Sequence, residues 1–288
     1  MNWERWQEFL TCTSCRSNLL REDDALRCSS CAATYLIVNG VPHFLNSVRS
    51  EYADVYHARS VRTGLRGLFS PSGFFSAATF VDDRQQAGQQ NFHGALDRFL
   101  KNFSTHDLVV DVGSGSRRLT RDILNVDVEA FPGVDMVAGG DALPFASGAV
   151  SGVVLQSVVE LAPNPRSFID EIWRVLKSGG LFFIEAPFVF PRHNGPDNYR
   201  WTQEGLASLC CGFVKVESGI SIESGSALGA AVFAFGDERF CKWPPILRGP
   251  AYASLWMVCS LVRQLDRWPA ASDRRSLYGA AYFVGGKS

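Results

Sequence analysis

Charge of either sign is nowhere in excess in this sequence. Twenty-eight Lys and Arg face 29 Asp and Glu over 288 residues, a formal net charge of −1. A chain this close to neutral has no global field to draw it onto nucleic acid or an acidic membrane, so such a partner would have to meet a local patch. Long apolar runs are missing too. The longest, Ala251 to Val262, is about half the ~20 residues that a spanning helix needs. It ends at Arg263 and reads as a packed helix. Met1 to Leu10 holds Trp, Glu, Arg and Gln where a secretory leader would have an apolar core, so no leader is expected and the expected location is cytoplasmic. Histidine is scarce, with five in the chain. His57 and His93 stand alone and read as surface or capping residues. What remains is ordinary for a globular protein: 46% hydrophobic and 20% charged residues, enough for one large domain and a small one.

Eight cysteines in such a chain point to metal or free thiols rather than disulfides. Four of them form the pairs Cys12-x-x-Cys15 and Cys28-x-x-Cys31, twelve residues apart. Each pair can wrap a tight knuckle around one side of a metal, and two knuckles complete a closed tetrahedral site. Thiolates are soft donors, so zinc in a structural role is expected. About 40 residues hardly hold together by burial alone, which gives the metal a folding role. A disulfide pair or a redox CxxC is the competing reading, but neither pair sits in a thioredoxin-like context. Cys210, Cys211, Cys241 and Cys259 have no metal spacing and read as buried thiols.

The most informative stretch is Val109-Val110-Asp111-Val112-Gly113-Ser114-Gly115. An apolar run ending in an acid and followed by spaced glycines is how a buried first strand of an α/β sheet passes to a turn that a ligand approaches closely. Further strands are expected at 125–128, at a segment closed by Asp141-Ala142-Leu143-Pro144-Phe145, at 153–156 and at 181–185. A helix is expected from Pro165 to Lys177, with Asn164 able to cap it, Pro165 at its first position and Gly179 at its end. Residues 83–102 read as a helix from the spacing of Phe92, Leu96, Phe99 and Leu100.

These pieces, in this order, resemble class I S-adenosylmethionine (SAM)-dependent methyltransferases, with their D-x-G-x-G loop, D-A-x-x-L-P-F segment and R-V-L-K-x-G-G helix end. The resemblance covers roughly residues 105–217. It implies an α/β fold, a Rossmann-like seven-stranded class I methyltransferase sheet, preceded here by a small N-terminal four-cysteine zinc ribbon. The domains expected are a ribbon at 1–48, a helical cofactor-covering segment at 49–104 and the methyltransferase domain at 105–288. It also implies SAM as cofactor. Asp111, Gly113, Ser114 and Gly115 would then meet the methionine end, Asp127 the ribose hydroxyls, Asp141 and Ala142 the adenine edge, and Gln156 and Ser157 would lie over the cofactor. The chain departs from the family where Arg117-Arg118 replace the third glycine, and the helix that follows is expected to be very short. The run Tyr35 to Pro42 resembles the Y-P-I-x-D-G-I-P ending of small zinc-ribbon activators of methyltransferases.

After the fifth strand, Pro187 to Thr202 resembles the loop of bacterial methyltransferases found with surface-sugar biosynthesis. The loop gathers His193, Asp197, Tyr199 and Arg200, the candidate catalytic residues, before a helix that Thr202 can cap. Residues 220–275 form an insertion read as a helical lid or a dimer contact, so a homodimer is a candidate assembly. The run 279–285 reads as a last strand, which in this family is antiparallel and lies between the fifth and sixth. Methyl transfer to O or N of a small molecule, a sugar or lipid-linked glycan among the candidates, is the favoured function. An RNA methyltransferase and a non-catalytic scaffold are the alternatives. Nucleic acid is less favoured as a partner, because Arg16, Arg21 and Arg27 on the ribbon are offset by Glu22, Asp23 and Asp24.

Overall fold

The computed structural model describes residues 2–45, 90–192, 196–268 and 276–288. His57 and most of the expected 49–104 segment, with the first residues of its helix, lie outside the described residues, as do His193 and the end of the insertion.

Seven strands form one sheet: β5 (Val109–Val112), β6 (Leu124–Asp127), β7 (Met136–Val137), β8 (Val150–Gln156), β9 (Leu176–Pro187), β10 (Val214–Ile222) and β11 (Ala280–Gly286). Their spatial order is β7-β6-β5-β8-β9-β11-β10. The strands from β7 to β9 run parallel, and β11 lies antiparallel between β9 and β10. This is the order that the resemblance implies. β5, β6 and β8 are buried at every position, which is why they read as unbroken apolar runs instead of alternating ones.

Alternation still sorts their side chains between two layers. Val110, Val112, Val126, Val153 and Ile184 share one core with Ile169, Ile172 and Val175 of helix α2 (Pro165–Val175). Val154, Phe183 and Val284 face the other way, under Ala95, Leu96 and Phe99 of helix α1 (Gln90–Leu100).

The N-terminal module is a four-stranded antiparallel sheet, β1 (Leu19–Glu22), β2 (Ala25–Cys28), β3 (Thr34–Val38) and β4 (Val41–Pro42). Asn39 and Gly40, with φ of 51° and 80°, make the two-residue turn between β3 and β4, where both positions need a left-handed backbone. The module is fused to the sheet. Trp3, Trp6, Leu10, Tyr35 and Phe44 belong to the same core as β5 and β6. The Phe44 amide donates to Val137 O at 2.7 Å, and the Thr11 amide to Pro144 O at 2.9 Å. The module thereby covers the β7 edge, which would otherwise present unpaired backbone groups.

Two local expectations are corrected. Helix α2 ends at Val175, its Asn164 side chain makes no cap bond, and Leu176 is its C-cap. Gly179 (φ 77°) lies instead in a bulge of β9, its amide donating to Lys287 O at 2.8 Å, because the last strand claims those residues. Nor does any helix form between β5 and β6. There Arg118 donates to Gly133 O and Asp135, and the Asn125 side chain to Arg117 O, so side chains hold residues 113–123 as a pinned loop.

Candidate cofactor cleft and metal centre

The glycine loop leaves β5 with two left-handed residues. At Gly113 (φ 71°) an added Cβ would stand 2.2 Å from Val158 Cγ2, so nothing larger than glycine fits. At Gly115 (φ 55°) an added Cβ would meet nothing within 4 Å, so this backbone faces open space. The Gly115 amide donates to Asp127 Oδ2 at 2.8 Å, and the Glu129 amide to Asp127 Oδ1 at 3.1 Å. The carboxylate that ends β6 therefore fixes the loop that ends β5. Burial raises the Asp127 carboxyl above its ordinary range, against the lowering effect of these amides and of Arg117.

Arg117 stands at the position of the missing third glycine and folds back into the cleft. Its Nη2 donates to both oxygens of Asp111 at 3.0 Å. Asp111 is fully buried, and the Arg117 side chain is 20% exposed. Buried Arg117 Nε has no partner. The strand registers set Asp111 level with Val154, and Gln156 level with Glu185, so the three polar side chains share the layer of Val154 and Phe183. Gln156 Nε2 donates to Glu185 Oε2 at 3.4 Å, while Gln156 Oε1 is buried without a donor. Burial raises the Glu185 carboxyl; Ser221, Gln156 and Arg117 oppose that shift, and the neighbouring Glu160 adds to it. Ser157, one residue past β8, takes a left-handed backbone (φ 54°) that non-glycine residues adopt at a cost.

Asp111, Gly113, Ser114, Gly115, Asp127, Gln156 and Ser157 thus meet at the carboxyl ends of β5, β6 and β8. Asp141 and Ala142 lie in the turn after β7, half-buried. Arg117, Glu160 and Glu185 join them in the cleft, although no motif in the sequence marks them as site residues. The signal for Glu185 was a lone acid inside an apolar strand; for Arg117 it was a long cation where a glycine was due.

The loop after β9 is held by its own polar groups. Arg200 pairs with the buried Asp197, Nη2 to Oδ2 at 2.6 Å. The Asn198 and Tyr199 amides donate to Glu160 O at 2.9 and 3.1 Å, and the Tyr199 hydroxyl to Pro163 O at 3.2 Å. Tyr199 stacks on Trp201, whose buried Nε1 has no acceptor. Thr202 Oγ1 caps helix α3 (Gln203–Leu209), accepting from the Gly205 amide at 3.0 Å.

In the N-terminal module the four thiols converge. The Sγ atoms of Cys12, Cys15, Cys28 and Cys31 lie within 4.8 Å of one another. The Cys12–Cys31 and Cys15–Cys28 separations are 3.6 and 3.3 Å. A tetrahedral zinc at ~2.3 Å from each sulfur sets its thiolates roughly 3.8 Å apart, whereas a disulfide needs ~2.05 Å, so the set fits a metal and not two bridges. Both knuckles end alike, with Arg16 and Ala32 left-handed (φ 64° and 57°) directly after the second cysteine. The Ser30 and Cys31 amides point at Cys28 Sγ at 3.4 Å, and the Tyr35 hydroxyl lies 3.1 Å from Cys12 Sγ. Donors around the sulfurs stabilise thiolates and orient them.

Residues 110–184 match a sequence family described as a methyltransferase domain. Among solved structures, phosphoethanolamine N-methyltransferase 2 of Haemonchus contortus with SAM aligns at 16% identity and a TM-score of 0.48, over 80% of this chain and 59% of that one. The 1,6-didemethyltoxoflavin-N1-methyltransferase of Burkholderia thailandensis aligns at 14% identity and a TM-score of 0.45, over 93% and 98%. The geranyl diphosphate C-methyltransferase of Streptomyces coelicolor aligns at 16% identity and a TM-score of 0.42, over 68% and 77%. No curated protein matches the sequence. Residues 110–184 are thus similar to a methyltransferase domain, and the seven-stranded sheet built around them has the strand order expected for that fold.

Proposed function

We propose that the cleft binds SAM and passes its methyl group to oxygen or nitrogen of a small molecule, with a sugar or lipid-linked glycan as the acceptor class. The observation that carries this reading is the charge of the cleft. Four carboxylates, Asp111, Asp127, Glu160 and Glu185, gather there around one guanidinium, that of Arg117. A dinucleotide needs a helix N-terminus to hold its pyrophosphate, and the loop 113–123 has no helix. SAM carries a sulfonium and an ammonium against one carboxylate, and suits an acidic cleft with a single cation. When bound it supplies an electrophilic methyl group.

The chain's own residues then divide the work. The bare backbone at Gly113 to Gly115 lets the methionine end approach. Asp111 faces the ammonium, and Arg117, with Nε unpartnered, faces the carboxylate. Asp127 accepts from the ribose hydroxyls, Asp141 and Ala142 meet the adenine edge, and Gln156 and Ser157 lie over the cofactor. On the acceptor side, the Asp197–Arg200 pair and Tyr199 hold the described part of the loop after β9, and His193, which the sequence places in that stretch, is the candidate general base. Zinc on the four cysteines holds the module that covers the β7 edge. The RNA alternative gains no support from that module. Arg16 pairs with Glu171, Arg21 with Glu4 and Arg27 with Glu22, so these arginines form no free basic stripe.

Arg117→Ala tests the assignment of the methionine end. A lost charge-assisted bond of about 1.5–3 kcal/mol predicts S-adenosylhomocysteine binding weaker by roughly 10- to 100-fold. Binding of 5′-methylthioadenosine, which lacks the amino acid end, should stay unchanged. Tighter S-adenosylhomocysteine binding in the variant would instead make the Asp111–Arg117 pair a plug in the site.

A further inference from the structure

The insertion is a helical hairpin, α4 (Ser224–Phe240) and α5 (Pro245–Gln264), with a small core of its own around Phe233, Tyr252 and Cys259. Glycines let the helices approach closely: a Cβ on Gly229 would lie 3.2 Å from Cys259 O, and one on Gly236 2.4 Å from Leu255. That packing uses one side of α5 only. The other side is apolar and bare. Ile246 is 82% exposed, Met257 62% and Leu261 65%, with Val258 and Leu265 in the same stripe. From Ile246 to Leu265 no exposed position of α5 carries a charge. A stripe of this length marks a surface that meets something apolar.

The charges at its ends say what. Arg239 and Lys242 are exposed at the α4–α5 turn and Arg267 beyond α5, against one exposed acid, Glu238, among the described hairpin residues. The other acids of these helices are engaged internally. Asp237 accepts from the Tyr252 hydroxyl, and Asp266 from the Gly225 and Ser226 amides at 2.6 and 2.7 Å. Exposed Trp243 and Trp268 flank the stripe beside these cations. Pairing with a second copy, parallel or antiparallel, would bring cationic end against cationic end. An anionic bilayer surface meets both features: headgroups face the cations, and the tryptophans sit at the boundary above the acyl chains.

We propose that the outer face of α5 docks on an anionic lipid surface, lying in its plane. No helix of the described residues is long and apolar enough to cross a membrane. β10 runs parallel to β9, so the hairpin leaves the sheet at the edge where the cleft opens. Docking would therefore bring acceptors carried in that lipid layer to the cleft, a consequence that rests on the methyltransferase reading, whereas the docking itself does not.

The test is flotation of the zinc-loaded full chain with phosphatidylcholine vesicles, alone or with a quarter phosphatidylglycerol. The expected result is co-flotation with the anionic vesicles, weakened by salt. The double variant Met257→Glu/Leu261→Glu should bind at least tenfold less, with an unchanged melting temperature. Ile246→Glu, at the other end of the stripe, gives an independent check. Equal flotation of wild type and variants would overturn the proposal. So would a wild type that ignores both vesicles and sediments as a dimer that the double variant splits, since a second copy would then be what covers the face.

Discussion

Cys28→Ser yields a protein without zinc that does not fold stably at 37 °C. Cys28 is buried inside the shared core, and its sulfur collects two backbone amides. Losing one thiolate opens the tetrahedral site, and structural zinc sites of this kind contribute apparent binding energies of roughly 10–16 kcal/mol to folding. Even a third of that figure, about 3–5 kcal/mol, is a large share of a typical domain's stability of about 5–15 kcal/mol. The loss does not stop at the module. Trp3 is 1% exposed with its indole donating to Gly40 O at 2.7 Å, and it shares a core with Leu124 and Val126 of β6. Unfolding the module therefore bares the β7 edge and part of the central core. Metal analysis of wild type should find about one zinc per chain, and calorimetric melting of the variant should show the main transition lowered or lost. A variant that melts like wild type, or a folded and reduced wild type without metal, would remove the module's metal from the account.

Asp111→Ala destabilises the fold by about 3 kcal/mol, the low end of the cost of breaking a buried ion pair, because Arg117 retains some access to water. The cost arises chiefly from the guanidinium left beside β5 without its carboxylate, and from the cavity in a layer where Val109 and Val154 are also buried. Asp111→Asn, which keeps an acceptor for Nη2, should lose less. The double variant Asp111→Ala/Arg117→Ala should recover part of the loss, since it removes both partners together. Denaturant unfolding of the four proteins closes the cycle. Strictly additive losses would mean that the two side chains do not act as a pair.

The middle of the sheet was legible in the sequence because β5, β6 and β8 are buried on both faces. Val109 to Val112 and Val153 to Gln156 had no alternative as amphipathic helices, and the glycines marked where the first of them ends. Boundaries were less legible where distant residues decide them. Nothing near Gly179 indicates that Lys287 takes its amide, so a glycine that suits a helix end was read as one when it belongs to a strand bulge. Residues 113–123 were expected to hold a short helix. Asn125 and Arg118 bond the loop's carbonyls at Arg117 and Ile123, and Arg118 is itself tied to Gly133 O outside the loop; that competition is invisible in local propensity. In the cleft, the acids at successive strand ends were readable as a series. Arg117 was noticed only as a missing glycine, since its partnership with Asp111 depends on a side chain folding backwards over five residues.

If the acidic cleft takes a cation-bearing cofactor, titration of the zinc-loaded protein with SAM across pH will show it. Burial holds the Asp127 and Glu185 carboxyls above their ordinary range. A bound cation favours their ionised forms, so binding should release protons, and affinity should rise with pH through their ionisation and then level off. Asp127→Ala should weaken binding by about 1–3 kcal/mol and flatten part of that rise. One SAM per chain with this pH dependence, and no comparable affinity for NAD, is the expected result. A folded, zinc-loaded protein that binds no SAM, or binds NAD more tightly, would contradict it.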